Sequence, residues 1–443
     1  MSDFRIGMAF FMKGNHMEIA VLLLFCAMLL AVILCDGSLV AALAAGWVLF
    51  IFYGLKKGFR FGKLVALSTD GIFAAENILI TFMLIGILTA VWRLAGTIPA
   101  IVFYASKWIR PELILVLTFL LNGAVSFLFG SSFATAATMG VICMTMGLGL
   151  GADPAIMGGA ILSGIYFGDR CSPVSTSALL VSEITHTNLY DNIRNMFRTA
   201  AVPFALACVF YFGIGFLGNE SGEIQISQLS VFSECFDLSI PVLLPAAAIL
   251  LLGAFRVPVK RTLSVGILFA AACALLLQHV SVSDILYAAV FGFSSERKDL
   301  QMLLGGGGVV SMLRVAAIVC ISSSYIGIFH GTGMLDDLKE KLLKLSGRLG
   351  RFGVMILMSF LNSAIACNQT LAIMLTNVLC GDFYVEETKR AIALENSVVM
   401  IAALVPWSIA CAVPLESVGA PSSSVAAAAY LWLLPLWHWF RYK

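Results

Sequence analysis

Two acidic side chains lie inside long apolar stretches of this 443-residue chain. Asp169 interrupts the run ILSGIYFGDRC, and Glu395 opens the apolar block that follows Lys389 and Arg390. A buried carboxylate is costly unless it is paired or neutralised, so an acid at such a position can exchange a proton for a cation. Asp169 is alternatively a fixed ion-pair partner of Arg170, and Glu395 a surface acid near a helix start. Because acids within membrane segments are functional by default, we predict an ion and proton site at Asp169.

Hydroxyl side chains follow a glycine in the string FGSSFATAAT. Ser131, Ser132, Thr135 and Thr138 are spaced so that several of them share one face of a helix. Hydroxyls and freed backbone carbonyls supply oxygen ligands to a cation without adding fixed charge. Small residues also allow close packing of membrane helices, which is the alternative role. We predict cation ligands at Ser131, Ser132 and Thr135, and packing at Thr138.

Uncharged amides are also expected at membrane depth. Asn122, Asn362, Asn368 and Gln369 can join broken helices through hydrogen bonds or bind a cation directly. We predict a structural role for Asn122 and Asn362, and a ligand role for Asn368, which lies in the polar interruption IACNQT.

One arginine is placed where it can change the charge of such a site. Arg314 lies nine residues after Gly305 (314 minus 305), so at about 1.5 Å per residue a helix that starts there brings it to roughly mid-membrane. Two alternatives stay open: the side chain extends to the interface, or it is a fixed cation that pairs with Asp169 or Glu395 or holds a substrate carboxylate. We interpret His330, at a helix end, as a structural residue.

The composition decides what surrounds these side chains. Apolar residues make up 60% of the chain and charged residues 12%, about half of the roughly 25% in soluble domains. Mean hydropathy is +0.98. These values exclude a soluble enzyme and a disordered chain, and the net charge of +2 provides no field for nucleic acid. The chain is therefore predicted to be an all-α polytopic membrane protein in contact with the lipid bilayer.

Cofactor and enzyme motifs are not found in the sequence. Most of the 11 cysteines lie in apolar runs, and Cys367 and Cys380 have neither CxxC spacing nor a histidine cluster. There is no HExxH string, no Ser-His-Asp candidate set and no phosphate loop, and the run Gly305–Gly308 does not match GxGxxG. We predict no cofactor, no resident metal and no enzymatic activity.

Apolar runs give the number of membrane spans. A helix needs about 20 mostly apolar residues to cross the hydrocarbon core. The sequence predicts roughly ten to thirteen crossings, within the stretches 18–36, 38–54, 77–95, 112–129, 132–150, 199–217, 239–255, 262–279, 308–329, 352–380 and 393–440. Because no small-residue cleavage site follows the first run, it is predicted to be a span and not a signal peptide. Residues 97–109 and 335–349 are predicted to be amphipathic helices at the interface.

Charged loops orient the spans. Four basic residues follow the second span, namely Lys56, Lys57, Arg60 and Lys63. Only Asp36 lies in the turn after the first span, so the positive-inside rule predicts a cytoplasmic N-terminus. Residues 219–237 contain four acids and no lysine or arginine, which predicts an external loop.

The order of polar features repeats along the chain. AGTIP, an amphipathic segment and FLLNGA are followed later by HGTGM, an amphipathic segment and SFLNSA. Asn122 and Asn362 are 240 residues apart (362 minus 122), and each precedes a polar interruption. Such doubling predicts a secondary transporter with two inverted repeats, discontinuous or re-entrant helices and a substrate site between them. The predicted units are an N-terminal hairpin over 1–64, a first repeat over 65–218, linking segments over 219–300 and a second repeat over 301–443.

Three strings in the first half, GTIPAIVFYASKWI, FGSSFATAATMG and LSGIYFGDRCSPVS, resemble the NhaC family of sodium/proton antiporters in the ion transporter superfamily. LENSVVMIAALVPW at 394–407 resembles that family's second signature, and the resemblance extends over most of the chain. It implies a bacterial plasma-membrane antiporter that exchanges Na⁺ or Li⁺ for protons by alternating access. It also favours the functional role for Glu395 and adds Glu395, Ser172, Ser175, Thr176 and Asn396 to the predicted ion-binding residues.

The chain departs from the family pattern at two positions. The family usually has an aspartate where this chain has Thr176, and Glu-Asp where this chain has Glu395 and Asn396. Neutral side chains thus replace two carboxylates that the family pattern places near the cation. This leaves a second hypothesis open, in which the chain is an ion-coupled exchanger of an organic acid or amino acid. The position of Arg314 distinguishes the two hypotheses. If its side chain lies in the cavity, an organic substrate is favoured; if it extends to the membrane interface, cation exchange is favoured. A homodimer is expected by analogy with other antiporters.

Overall fold

The protein is described by a computed structural model over residues 17–34, 37–106, 110–217, 226–255, 257–332 and 338–441. Within these ranges the chain is helical, and its strand-like geometry is confined to one isolated bridge between Phe293 and Gly306. The predicted all-α class of polytopic membrane protein is confirmed, because long apolar helices make up most of the described chain.

Six helices in the described ranges are at least 18 residues long and apolar enough to cross a membrane: Leu39–Lys56, Glu76–Leu94, Pro111–Phe129, Ser132–Gly149, Leu189–Leu217 and Val259–Leu276. The pair Glu387–Leu404 and Ile409–Val418, bent by 53°, makes a seventh candidate. Further helices are Met17–Leu34, Phe61–Ala74, Thr97–Ser106, Ile226–Cys235, Leu244–Ala254, Val282–Phe291, Lys298–Leu304, Leu313–Thr332 and Ala429–Arg441. The total of ten to thirteen crossings stays a prediction.

Two segments predicted as separate spans form one helical hairpin, which we call hairpin 1 (residues 114–149). Its first arm is Ile114–Phe129 and its second arm is Ser132–Gly149. The first arm runs parallel to Pro154–Cys171, because Gly164 packs against Phe119 and Gly168 packs against Phe127. Residue numbers therefore rise together along the two helices.

The second arm of hairpin 1 runs in the opposite direction. Gly140 packs against Ile161 and Gly147 packs against Met157, so residue numbers fall along one helix as they rise along the other. Both arms thus pack on the same neighbour with opposite polarity, and the tip of the hairpin lies at residues 130–131.

The second half contains an equivalent hairpin 2 (residues 351–380). Gly350, at φ 74° and ψ 163°, separates its first arm from the preceding residues of helix Leu338–Ala366. The second arm is Gln369–Cys380, and the Asn362 side chain on the first arm donates a 3.0 Å hydrogen bond to Thr376 on the second. The stretch 352–380 is therefore not one continuous helix, because the chain turns back at Cys367 and Asn368.

Each hairpin is followed by a broken span. Broken span 1 is Pro154–Cys171 followed by Thr176–Thr185, and broken span 2 is Glu387–Leu404 followed by Ile409–Val418. The starts differ by 233 residues (387 minus 154), and so do the ends (418 minus 185). A serine caps the second helix of both spans, and a left-handed residue ends both helices: His186 at φ 55° and Gly419 at φ 70°.

The two broken spans run antiparallel. Gly158 packs against Ala420, and twelve residues later (170 minus 158) the Arg170 side chain donates to the carbonyl of Glu395. As the residue numbers rise along span 1, the numbers of the residues they contact on span 2 fall. Since the spans occupy equivalent places in their repeats, the repeats are inverted with respect to each other, as the sequence predicted.

The N-terminal helices pack on the second half. Phe25 and Phe50 form ring contacts with Tyr325 on helix Leu313–Thr332, at centroid distances of 5.5 and 5.0 Å. The Tyr325 hydroxyl donates to the carbonyl of Leu43.

The predicted interfacial segments correspond to helix Thr97–Ser106 and to the helical backbone before Gly350. Residues 107–109 and 335–337 of these predictions lie outside the described residues.

Candidate functional site

A cavity of about 90 Å³ lies where the two hairpin tips meet the two broken spans. Its lining comes from both repeats and from helix Glu76–Leu94: Ile78, Gly130, Ser131, Ser132, Phe133, Asp169, Thr176, Asn368, Gln369, Thr370, Ile409 and Ala410. The structure thereby brings together five predicted site residues, which are Asp169, Ser131, Ser132, Thr176 and Asn368.

Asp169 is the only ionisable side chain in this lining. The residue is 5% exposed, and its Oδ1 atom is buried with no hydrogen-bond partner. The Ser132 and Ser175 hydroxyls and the Ser132 backbone amide lie within interaction range of the carboxylate. The site therefore combines one acid with several neutral oxygen donors, a set that suits a hard monovalent cation or a proton.

Both hairpin tips share one backbone geometry. Gly130 is left-handed, at φ 60° and ψ 31°, and Ser131 after it is extended, at φ −147° and ψ 113°. Cys367 is left-handed, at φ 52°, and Asn368 after it is extended, at φ −136° and ψ 129°. The matching residues are 237 apart (367 minus 130), so the polar interruptions in the sequence are helix breaks.

The extended residue at each tip caps the returning arm. The Ser131 hydroxyl accepts from the backbone N–H of Ala134 at 3.3 Å, and the Asn368 Oδ1 accepts from that of Thr370 at 2.9 Å. Capping is the usual reason for Ser and Asn at this position. It fixes both side chains beside the cavity that they line.

Three predicted ligands do not line the cavity. The Thr135 hydroxyl is buried and donates to the carbonyl of Ser131 at 2.9 Å. The Ser172 hydroxyl accepts from the backbone N–H of Val174 at 3.3 Å. Ser175 caps the second helix of broken span 1, although its hydroxyl also faces Asp169. These residues shape the break and do not form its surface.

Among the described contacts, Arg170 forms no ion pair with Asp169. The alternative that Asp169 is a fixed ion-pair partner of Arg170 is therefore wrong. Its guanidinium is fully buried and donates to neutral acceptors on three other elements: the carbonyls of Glu395 (3.2 Å) and Met196 (3.4 Å), and the side-chain oxygens of Thr199 (3.2 Å), Tyr430 (3.4 Å) and Asn396. Arg170 thus joins broken span 1 to broken span 2.

Glu395 and Asn396 lie away from the cavity lining. Both Glu395 carboxyl oxygens are buried with no hydrogen-bond partner. The Asn396 side chain accepts from Arg170 through Oδ1, and its Nδ2 is 2.8 Å from Nδ1 of His438. The Asn396 amide therefore bridges two basic side chains.

The remaining predicted polar residues lie elsewhere. Arg314 is the second residue of helix Leu313–Thr332, and its side chain is exposed and does not line the cavity. No described contact joins it to Asp169 or Glu395, so the alternative in which Arg314 pairs with one of these acids is not found there. Asn122 donates to the carbonyl of Thr118 at 2.9 Å within its own arm. The His330 side chain lies outside the described part of the chain.

Sequence reasoning missed Tyr166, which lies three residues before Asp169. Its hydroxyl is buried and donates to the carbonyl of Ala410 at 2.6 Å, a residue of the cavity lining. A signal for this bond was present, because Pro414 cannot donate the helical hydrogen bond that Ala410 would otherwise accept.

Comparison with known proteins gives consistent matches. The family model "Na+/H+ antiporter family" matches residues 164–435. The chain is 30% identical over 349 residues to "Na(+)/H(+) antiporter NhaC" of Alkalihalophilus pseudofirmus, covering 77% of this chain and 76% of the relative. It is 26% identical to "Malate-2H(+)/Na(+)-lactate antiporter" of Bacillus subtilis, over 88% and 86%. It is 25% identical to "Arginine/ornithine antiporter ArcD" of Halobacterium salinarum, over 82% and 78%.

Proposed function

Because this chain belongs to the Na⁺/H⁺ antiporter family, we propose that it exchanges Na⁺ or Li⁺ for protons, with Asp169 as the group that binds cation and proton in turn. One observation carries the proposal: a single carboxylate lines a cavity at the meeting point of two helix breaks. A proton and a cation both neutralise a buried acid, so each displaces the other. Competition for one carboxylate is the simplest basis for coupled exchange.

The proposed cation ligands are the oxygens around Asp169. Ser131, Ser132, Thr176 and Asn368 line the same cavity, and Gly130 presents backbone next to them. Broken helices leave main-chain groups free for this purpose where they line a cavity. Na⁺ or Li⁺ is the transported substrate at this site and not a resident cofactor.

The inverted repeats provide the proposed route for alternating access. Hairpins 1 and 2 reach the cavity from opposite polarities, so movement of one repeat against the other exposes the same carboxylate to either side. We further propose a multi-pass protein of the bacterial plasma membrane with a cytoplasmic N-terminus, no cofactor and no enzymatic activity. The unit boundaries at 64, 218 and 300, and a homodimer, belong to the same proposal.

An organic substrate is the second candidate, because two relatives are named for organic acids or amino acids. The cavity lining contains no lysine, arginine or histidine to hold a carboxylate, and Arg314 is exposed outside it. Cation exchange is therefore the better supported hypothesis.

The test is transport by the purified protein in liposomes that contain a pH-sensitive dye. An imposed Na⁺ gradient should move protons in the opposite direction, Li⁺ should replace Na⁺, and Asp169→Asn should abolish the signal. Asp70→Asn is the matched control, since Asp70 is exposed and does not line the cavity. Wild-type protein without a sodium response, or Asp169→Asn with the wild-type rate, would contradict the proposal; lactate, malate, arginine and ornithine are then tested as substrates.

A further inference from the structure

Each repeat contains a crossing, which we define as the contact between its hairpin tip and the start of the second helix in its broken span. Crossing 1 joins Gly130 to Val174 and Ser175, directly before the second helix, and crossing 2 joins Cys367 to Ile409. Thr176 and Ile409 are equivalent residues, since both start their helices and they are 233 apart (409 minus 176). The two crossings can therefore be compared atom by atom.

Crossing 2 is closed by hydrogen bonds. The backbone N–H of Ile409 donates to the carbonyl of Cys367 at 2.8 Å. The Trp407 indole N–H donates to the carbonyl of Ala364, also at 2.8 Å. Cys367 is fully buried and packs in the same apolar cluster as the N-terminal helices. The carbonyl at this tip is thus occupied by a protein donor.

Crossing 1 is open. In the part of the chain that the structure describes, no backbone hydrogen bond joins Thr176 to Gly130. Gly130, Ser131 and Thr176 line the cavity, and so do Asn368 and Ile409 at crossing 2, so the hydrogen bonding of the tip carbonyl is what distinguishes the two crossings. Although the tip touches Val174 closely, its carbonyl lacks the donor that Ile409 supplies at crossing 2.

The two broken spans also differ in whether an acidic side chain lies near the crossing. The counterpart of Asp169 in broken span 2 is Ala402 (169 plus 233), and that of Arg170 is Ala403. Glu395 lies seven residues before Ala402 and does not line the cavity. Crossing 2 therefore has neither the free carbonyl nor the carboxylate that crossing 1 provides.

We infer that the cavity holds one cation site, built on crossing 1 and Asp169, to which the tip of hairpin 2 adds only the Asn368 side chain. Each chain then binds one Na⁺ per cycle, and crossing 2 is a fixed pin between hairpin 2 and broken span 2. The inference rests on the proposed sodium exchange, because it specifies how many cations the exchanger carries. It assigns Ile409 as a positioning residue that acts through its backbone N–H.

The number of bound ions is measured on the purified full chain by equilibrium dialysis with radioactive Na⁺. The expected result is one saturable site per chain with a hyperbolic isotherm, and no site in Asp169→Asn. Two sites in the wild type would overturn the inference while leaving sodium exchange intact. Absence of saturable binding by the wild type would overturn both proposals.

The pin is tested by Ile409→Pro. Proline removes the donor but suits the first position of a helix, and Ser408 before it, at φ −69° and ψ 142°, has the conformation that precedes proline. The variant should still bind one Na⁺, which also shows that it is folded. Its transport rate should fall roughly tenfold, the equivalent of one lost hydrogen bond.

Val282→Pro is the matched control, because Val282 is also the first residue of a helix and follows an extended serine, Ser281 at φ −71° and ψ 155°. Val282 is exposed and does not line the cavity, so this variant should transport at the wild-type rate. Equal rates in Ile409→Pro and Val282→Pro would overturn the pin. An Ile409→Pro variant that binds two Na⁺ per chain would overturn the single-site inference, since the freed Cys367 carbonyl would then be forming a site without an acid.

Discussion

The Tyr166 hydroxyl donates a 2.6 Å hydrogen bond to the carbonyl of Ala410, and this bond joins broken span 1 to broken span 2 beside the cavity. Pro414 lies four residues after Ala410, so the helix itself cannot satisfy that carbonyl. Tyr166 is fully buried and precedes Asp169 by almost one turn. The two repeats are thus linked at the depth of the acid by a donor from one and an orphan acceptor from the other.

Replacing Tyr166 with phenylalanine should weaken this link. The variant leaves the Ala410 carbonyl buried without a donor, which should lower the free energy of unfolding by about 1–3 kcal/mol. Thermal unfolding in detergent measures the change. Tyr104→Phe is the control, because Tyr104 makes a comparable 2.8 Å bond to Leu238 at an exposed position where water can replace it. Equal losses in the two variants would show that burial of the Tyr166 bond is unimportant.

Gly130→Ala should inactivate the transporter. An added Cβ would lie 2.5 Å from Val174 Cγ2 and 2.7 Å from the Val174 backbone carbon, so the tip of hairpin 1 would have to move from crossing 1. Gly151→Ala is the matched control: Gly151 is also left-handed, at φ 77°, but an added Cβ meets nothing within 4 Å. Both variants should lose about 1–2 kcal/mol from the left-handed backbone. Only Gly130→Ala should abolish sodium-driven proton movement; activity in that variant would show that the tip can shift freely.

The repeat and its helix breaks were predictable because polar and glycine-containing interruptions stand out in apolar sequence. Their register was not. The asparagines at 122 and 362 are 240 apart, whereas the left-handed residues Gly130 and Cys367 are 237 apart. Glycine marks a break by its conformational freedom, but a cysteine in the left-handed region gives no such signal in the sequence.

The placement of side chains around the acid was predictable only in part. Asp169, Ser131, Ser132, Thr176 and Asn368 do share one cavity. Glu395 and Asn396 were included because they belong to a family signature, and their place in the fold depends on an offset of 233 residues that becomes visible only with the helix bounds. With that offset, the residue of broken span 2 that is equivalent to Asp169 is an alanine, Ala402.

Asn396 should contribute to stability through Arg170 and His438. Asn396→Leu removes an acceptor from a fully buried guanidinium and should lower the free energy of unfolding by about 1.5–3 kcal/mol, the range for hydrogen bonds to charged groups. Asn396→Asp, the residue usual in the family, keeps that acceptor and should be more stable than the leucine variant. Thermal unfolding of the three proteins side by side gives the order. A leucine variant as stable as the wild type would mean that the bridge is energetically neutral.

Glu395 and Asp169 should respond differently to removal of their charge. Glu395 is fully buried but does not line the cavity, so Glu395→Gln can act on a cation there only from a distance. The half-saturating Na⁺ concentration of this variant should stay within about tenfold of the wild-type value, equivalent to ~1.4 kcal/mol. Asp169→Asn, measured in the same liposomes, should show no saturable sodium response. If Glu395→Gln binds no Na⁺ although it remains folded, the cation contacts Glu395 in a conformation other than the one described, and the site must extend along broken span 2 towards Arg170.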